Sequence, residues 1–168
     1  MNGLNFSTVW TWEHWFWNIL LNQWTEKNLC VLEGRNHAIE IVFGGGTQIT
    51  NWYVAPFEDN HNPASGDNYA APGFSECIAY DETTRPGFQG GSVSGGMIDN
   101  SANRASFTFN EIKTIFGAAL VGGGADPDTK GDNAGGGILF CESKFSTPEN
   151  VIIGSVLKVK IEITLSAA

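Results

Sequence analysis

Histidine is the side chain best suited to acid–base chemistry near neutral pH, and the chain has three, His14, His37 and His61. A Ser/His/Asp or Cys/His site requires a nucleophile beside such a base. No serine lies in a G-x-S-x-G turn, and the histidines fall in an aromatic strand, a short helix and a polar loop. We therefore predict structural or solvent-exposed roles for all three and no catalytic residue.

Asp126, Asp128 and Asp132 lie in a glycine-rich loop over residues 122–136, which can be compared with two ligand-binding motifs. An EF-hand needs an oxygen ligand at its fifth position and glutamate at its twelfth. Counted from Asp126, these positions hold Lys130 and a glycine. A P-loop needs lysine followed by serine or threonine and a helix, whereas Lys130 precedes a glycine and a predicted strand. The loop therefore predicts neither a metal site nor a bound cofactor.

The eighteen acidic residues leave two alternatives open. Carboxylates hold calcium in proteins, and this loop or the side chains of Glu58, Asp59 and Asp67 could supply them. A glycosidase uses two carboxylates whose separation is set by the fold, so the sequence does not test that reading. Since no signature supports either alternative, we predict that the chain is not an enzyme.

The cysteines and the N-terminal sequence indicate the cellular compartment in which the chain is made. Cys30, Cys77 and Cys141 are odd in number and form no C-x-x-C pair, which argues against a disulfide framework or a zinc ribbon. We expect each to be a small apolar residue in a reducing compartment. The first fifteen residues contain no lysine or arginine, so no signal peptide is predicted. Both observations fit synthesis in a cytoplasm.

The charge and apolar patterns restrict the partners. A net charge of −9 argues against nucleic acid, because phosphate binding needs clustered lysine and arginine. The apolar stretch Trp15–Leu21 is interrupted by Asn18 and is too short to span a bilayer, which takes about 20 apolar residues. We therefore predict no nucleic-acid partner and no membrane partner.

Five of the six tryptophans lie between Trp10 and Trp24. The alternation of aromatic residues indicates a strand, and its two aromatic faces need two surfaces to cover them. We predict that residues 1–24 form an aromatic arm or a first strand that contacts another subunit. The alternatives are core packing and a carbohydrate-stacking platform. The predicted interface residues are Trp10, Trp12, Trp15, Phe16, Trp17 and Trp24.

The remaining chain, residues 25–168, is predicted to be one domain. Apolar residues at Ala38, Ile39, Val42 and Phe43 indicate one short helix at residues 33–43, which Gly44–Gly46 would end. Strands are predicted at residues 47–57, 76–82, 105–110, 114–122, 137–145 and 155–167, with a short one before residue 99. Short strands separated by turns favour an all-β fold, an antiparallel β-sandwich of jelly-roll type.

Five segments of the chain form a recognisable succession of strands and turns: EKNLCVLEGRNHAIEIVFGGGTQITNWYVAPFE, ECIAYDETTRPGF, DNSANRASFTFNEIKTIFGAALVGGG, TKGDNAGGGILFCESKF and VLKVKIEITL. Together they resemble a set of small virion structural proteins from tailed bacteriophages. The chain departs from that pattern at Ile112 and in its aromatic N-terminus. The resemblance implies a non-enzymatic capsid cement, or decoration, protein on the capsid surface.

The same resemblance implies the partners. They are the major capsid protein, copies of this chain in a homo-oligomer on the capsid lattice, or both. An alternative function is a tail- or fibre-associated, adhesin-like binding module. The cement function predicts many copies on the shell, whereas the adhesin function predicts few copies with exposed aromatic rings.

Overall fold

Strands dominate residues 4–167, the part of the chain that the computed structural model describes. The prediction of an all-β protein with one short helix is confirmed. In chain order the elements are β1 (Leu4–Phe16), β2 (Ile19–Lys27), β3 (Leu29–Cys30), α1 (Leu32–Ile39), a π-helical segment (Glu40–Gly44), β4 (Trp52–Phe57), β5 (Gly87–Phe88), β6 (Met97–Asp99), β7 (Ala105–Thr108), β8 (Lys113–Gly122), β9 (Ile138–Val151) and β10 (Val156–Ala167).

The strands form two antiparallel sheets, as expected for the predicted sandwich. The first sheet has the order β2-β1-β10-β6, and β7 also pairs with β10. The second has the order β3-β9-β8-β4-β5. Among the described strands, three pairs that are consecutive in the chain, β1–β2, β4–β5 and β8–β9, are neighbours within a sheet. The finer prediction, a jelly-roll pattern of connections, stays a prediction.

β1 lies in the interior of the first sheet, between β2 and β10. It pairs with β10 from its first residue to Trp15. The turn into β2 consists of Trp17 and Asn18, both with positive φ, which matches the twist of a two-residue hairpin. Within the N-terminal segment predicted at residues 1–24, residues 4–16 form β1 and residues 19–24 form the first part of β2, which continues into the predicted domain 25–168. Residues 1–3 and 168 of those ranges lie outside the described part.

The hydrophobic core lies between the two sheets. β1 and β10 contribute alternate residues to it, the period expected of strands with one buried face. Trp12 packs against Trp10, against Trp24 on β2 and against Phe145 on β9, whose ring centroid lies 5.0 Å from that of Trp12. The core includes Trp10, Trp12, Phe107, Ile115, Leu120, Cys141, Phe145, Leu157, Val159 and Ile161.

α1 and the π-helical segment after it confirm the helix predicted at residues 33–43. Gly45, with a φ of 75°, ends the segment in the left-handed conformation, which glycine adopts without steric cost. The helix lies directly on β9, since a Cβ at Gly34 would be 2.3 Å from the carbonyl oxygen of Phe140. Glycine is therefore required at residue 34 for this close approach.

The second sheet is covered on both faces. Its outer face carries a smaller apolar cluster under the chain between β4 and β5, formed by Val31, Ala55, Tyr69, Ala119, Val121 and Leu139.

Residues 76–82, predicted as a strand, make only isolated bridges at Glu76 and Tyr80. That prediction is wrong because the Tyr80 N–H bonds to the carbonyl of Ile78, two residues earlier, which bends the chain away from an extended conformation.

Arg85 joins the loops on this outer face and is itself buried. Its Nε and Nη2 groups donate to the carboxylate of Glu76, the shortest bond being 2.6 Å. Its other donors bond to the hydroxyl of Tyr69 and to the backbone carbonyls of Pro127 and Asp132. Burial opposes the charge of Arg85, but the bonds to Glu76 outweigh it and raise the pKa of Arg85. Arg85 therefore holds three chain segments together.

Replacing Arg85 by methionine is expected to lower the free energy of unfolding by about 3–5 kcal/mol, because Glu76 then remains as a buried charge without its partner. Arg35→Met is the matched control, since Arg35 is exposed and its side chain donates to the hydroxyl of Ser65. The control is expected to change stability by no more than about 0.5 kcal/mol. Urea unfolding followed by circular dichroism measures both. Equal losses in the two variants would contradict the structural role of Arg85.

Candidate functional site

The structure divides the six predicted interface residues into a buried group and an exposed group. Trp10 and Trp12 have no exposed surface, because they point from β1 into the core between the sheets. Residues two apart on a strand share a face, and here the second sheet covers that face. Trp10 and Trp12 are therefore core residues and not interface residues. Trp24 is partly buried against the same cluster, with its ring centroid 5.1 Å from that of Phe145.

Trp15 and Phe16 lie at the end of β1, where the strand leaves the core, and both are partly buried. The indole N–H of Trp15 donates to Oε2 of Glu13, and the ammonium group of Lys158 lies 5.4 Å from the Trp15 ring. The Phe16 ring meets the Trp17 ring edge-on at 6.1 Å. These contacts support the base of the β1–β2 turn.

The β1–β2 turn and the adjacent β9–β10 turn expose a group of large apolar side chains. Trp17 is 81% exposed, the largest exposure among the six predicted residues. The two turns are neighbours, since Gly154 lies against the ring of Phe16. We name this group the tip surface, and it consists of Trp17, Ile19, Leu20, Leu21, Ile152 and Ile153.

The tip surface includes an open sheet edge. Within the described residues, β2 pairs only with β1, so its other side is an edge of the first sheet. Farther along β2, the Glu26 carboxylate bonds to Ser146 of β9, which covers that part of the edge. Ile19 to Leu21 have no such cover and are exposed. An apolar, unpaired edge is a surface to which another chain can add a strand.

A second exposed apolar group lies where the helical segment ends. It consists of Ile39, Val42 and Phe43, and Phe43 is 80% exposed. The spacing of these residues predicts the helix, but the sequence alone did not identify them as a surface. The available signal was four large apolar residues within the five positions 39–43, interrupted only by Glu40.

The three histidines lie in different surroundings. Nδ1 of His14 lies 2.6 Å from Oε1 of Glu149, and Nε2 of His61 lies 3.0 Å from Oδ2 of Asp67. His37 packs edge-on against an aromatic ring. In residues 4–167, none of these histidines is hydrogen-bonded to a serine, threonine or cysteine side chain. The described residues therefore contain no histidine paired with a nucleophile.

The acidic, glycine-rich loop before β9 uses its polar groups to hold its own conformation. The carboxylate of Asp132 accepts hydrogen bonds from the hydroxyl of Tyr69, at 2.7 Å, and from the backbone N–H groups of Ala134 and Gly135. These bonds, and the one from Tyr69 most of all, lower the pKa of Asp132. Asp132 is thus an internal acceptor of the loop.

Comparison with known proteins gives no match to this chain, either among protein families or among curated proteins. No helix in the described residues is long and apolar enough to cross a lipid bilayer. The candidate functional site is therefore defined by surface geometry, and the tip surface is the feature that best fits a binding role.

The same tryptophan-to-alanine substitution, made once in β1 and once in the β1–β2 turn, should distinguish a core residue from a surface residue. Trp12→Ala is expected to lower the free energy of unfolding by about 3–5 kcal/mol, because it opens a cavity between the sheets. Trp17→Ala should change it by no more than about 0.5 kcal/mol, because Trp17 is exposed. Urea unfolding followed by far-ultraviolet circular dichroism measures both. A loss in the Trp17 variant as large as in the Trp12 variant would show that the tip is part of the core.

Proposed function

We propose that the chain is a non-enzymatic structural protein of tailed-bacteriophage particles, a capsid cement protein that binds the assembled shell of the major capsid protein. The observation that supports this proposal is the tip surface, where one tryptophan and five aliphatic residues are exposed at one end of a well-covered sandwich. Contiguous exposed apolar residues on a soluble domain mark protein contacts. The resemblance to small virion proteins supports the choice of the capsid as the partner.

The chemistry of the tip surface fits a folded protein as its partner. The net charge of −9 repels phosphate-rich partners such as nucleic acid. The apolar side chains need a matching apolar surface, and burying them contributes about 25 cal/mol per Å². The open edge at residues 19–21 offers backbone donors and acceptors to an extended segment of a capsid subunit.

The same net charge favours contact between this protein and the capsid shell over association of free copies of this protein with one another. Each free molecule carries the full net negative charge, so free copies repel one another in solution. A capsid subunit with a complementary surface does not meet that barrier. Copies held on neighbouring lattice positions can also contact one another, for example through Ile39, Val42 and Phe43, because the lattice raises their effective concentration.

A protein stabilises the capsid as a cement if it binds the capsid subunits only after they have assembled into a shell. A protein that binds the assembled shell, and not the free subunits, stabilises the shell by mass action. Many equivalent sites on a symmetric shell allow a modest affinity at each contact to have a large total effect. Such a protein needs a rigid fold and a docking surface, and it needs no reaction centre.

A second candidate function, a tail- or fibre-associated binding module, is favoured by a separate cavity. A cavity of about 380 Å³ opens between the sheets and is lined by the aromatic rings of Trp52, Phe88 and Phe140, with Gln48 and Thr50 among its polar lining. Aromatic rings with a few polar groups are typical of small-ligand sites. Specific binding on a glycan array that Trp52→Ala removes would support this candidate over the cement protein.

The cement proposal predicts that the chain binds intact shells in many copies. A triple variant that loses the apolar contact should bind the shells at least about tenfold more weakly. This variant carries Trp17→Ser, Ile19→Ser and Leu21→Ser. The matched control replaces Ile78 and Val93, which are exposed apolar residues outside the tip surface, by serine. Co-sedimentation with shells lacking the protein measures the binding. Cryo-electron microscopy of complete particles measures copy number and position.

Three results would contradict the proposal. The first is a low copy number confined to the tail. The second is equal binding by the tip variant and the control variant. The third is full resistance to heat and osmotic shock in intact shells that lack the protein.

A further inference from the structure

A histidine and two carboxylates meet under the loop that follows β4. His61 and Asp67 belong to that loop, and Glu142 belongs to β9 of the second sheet. Nε2 of His61 lies 3.0 Å from Oδ2 of Asp67 and 3.7 Å from Oε2 of Glu142. One potential ligand atom from each residue lies within 4.8 Å of the other two. Residues distant in sequence thus form one compact donor set.

Glu142 is the unusual member of this cluster. Its side chain is fully buried, and neither carboxylate oxygen has a hydrogen-bond partner. Burial, and then the nearby charge of Asp67, raises the pKa of Glu142 to about 9. Lys144, farther along the same strand, donates to Asn62 and not to Glu142. A buried carboxylate is expected to be paired or to coordinate a metal.

We propose that His61, Asp67 and Glu142 bind a divalent transition-metal ion, with Zn²⁺ as the best match. The buried, unpartnered Glu142 carboxylate points at the other two donors, so a cation there would supply the partner that it lacks. This inference is independent of the proposed capsid function, because it concerns a different part of the fold.

The spacing and chemistry of the donors favour zinc. Ligands at about 2.1 Å from a tetrahedral zinc ion lie about 3.4 Å apart. The distances from Nε2 of His61 to the Asp67 and Glu142 oxygens, 3.0 and 3.7 Å, bracket that value. Calcium needs six to eight oxygen ligands, and magnesium needs six in a strict octahedron, whereas this set has one nitrogen and few oxygens. Nitrogen and carboxylate donors together suit Zn²⁺.

The donors are held in place by the surrounding chain. Oδ2 of Asp67 also accepts a hydrogen bond from the backbone N–H of Ala64, at 2.7 Å. The imidazole of His61 packs against the rings of Phe57 and Phe74, with centroids 6.2 and 6.1 Å away. Contacts of this kind orient metal ligands and increase metal affinity. A metal ion would replace the hydrogen bond between Nε2 of His61 and Oδ2 of Asp67.

The consequence for the fold is a link between a loop and a sheet. His61 and Asp67 come from the loop after β4, and Glu142 comes from the middle of β9, so one ion would connect the two. Three protein ligands leave a fourth zinc position for water. The bound ion would also compensate the buried carboxylate, which otherwise disfavours the folded state.

Calorimetric titration of the full chain with ZnCl₂, after dialysis against a chelator, tests the site. We expect one saturable site per chain and a higher midpoint of thermal unfolding with Zn²⁺. His61→Gln and Glu142→Gln should each weaken binding by more than about tenfold. Glu142→Gln should still fold without zinc, because it replaces a buried carboxyl group that has no hydrogen-bond partner by an amide of the same shape.

Glu149→Gln is the matched control. Glu149 is also on β9 and also pairs with a histidine, His14, but it is not part of this three-residue cluster. This variant should bind zinc as the unchanged protein does. The proposal is overturned if the unchanged protein shows no saturable zinc binding, if Glu142→Gln leaves binding unchanged, or if Glu149→Gln reduces binding as much as Glu142→Gln does.

Discussion

The antiparallel pairing of β1 with β10 is the interaction on which the rest of the structure depends. It joins the two ends of the chain along nearly their whole length and makes β1 an interior strand of the first sheet. In this position, Trp10 and Trp12 face the second sheet and fill the space between the sheets. The same pairing holds the β1–β2 turn at one end of the sandwich, where Trp17 leaves the core and enters solvent.

The outer face of the second sheet contains two buried ionisable side chains with opposite environments. Arg85 has a partner for each of its donor groups, so its burial is compensated and it ties loops together. Glu142 lies under the neighbouring loop with no hydrogen-bond partner for either oxygen. A buried carboxyl group without a hydrogen-bond partner costs stability, and the cation proposed above would supply that partner. The pair of Arg85 and Glu76 shows that the loops on this outer face can supply all the hydrogen-bond partners of a buried charge.

The exposed apolar side chains of the tip surface do not contribute to the packing of the core. A monomer that only had to fold would gain nothing from Trp17, Ile19 and Leu21 in solvent. The net negative charge disfavours contact between free copies, whereas the apolar tip surface favours contact with an apolar surface of another protein. A shell-bound structural protein, the function proposed above, would combine these two properties.

By itself, the sequence determined the features that depend on neighbouring residues. Alternating side chains predicted strand β10, and the apolar spacing before Gly45 predicted the helix, because these patterns reflect local backbone geometry. Only the tertiary structure decided which face of β1 is buried, since that depends on its register with β10. It also decided that Glu142 meets His61, because contacts between distant residues leave no spacing in the sequence that could reveal them.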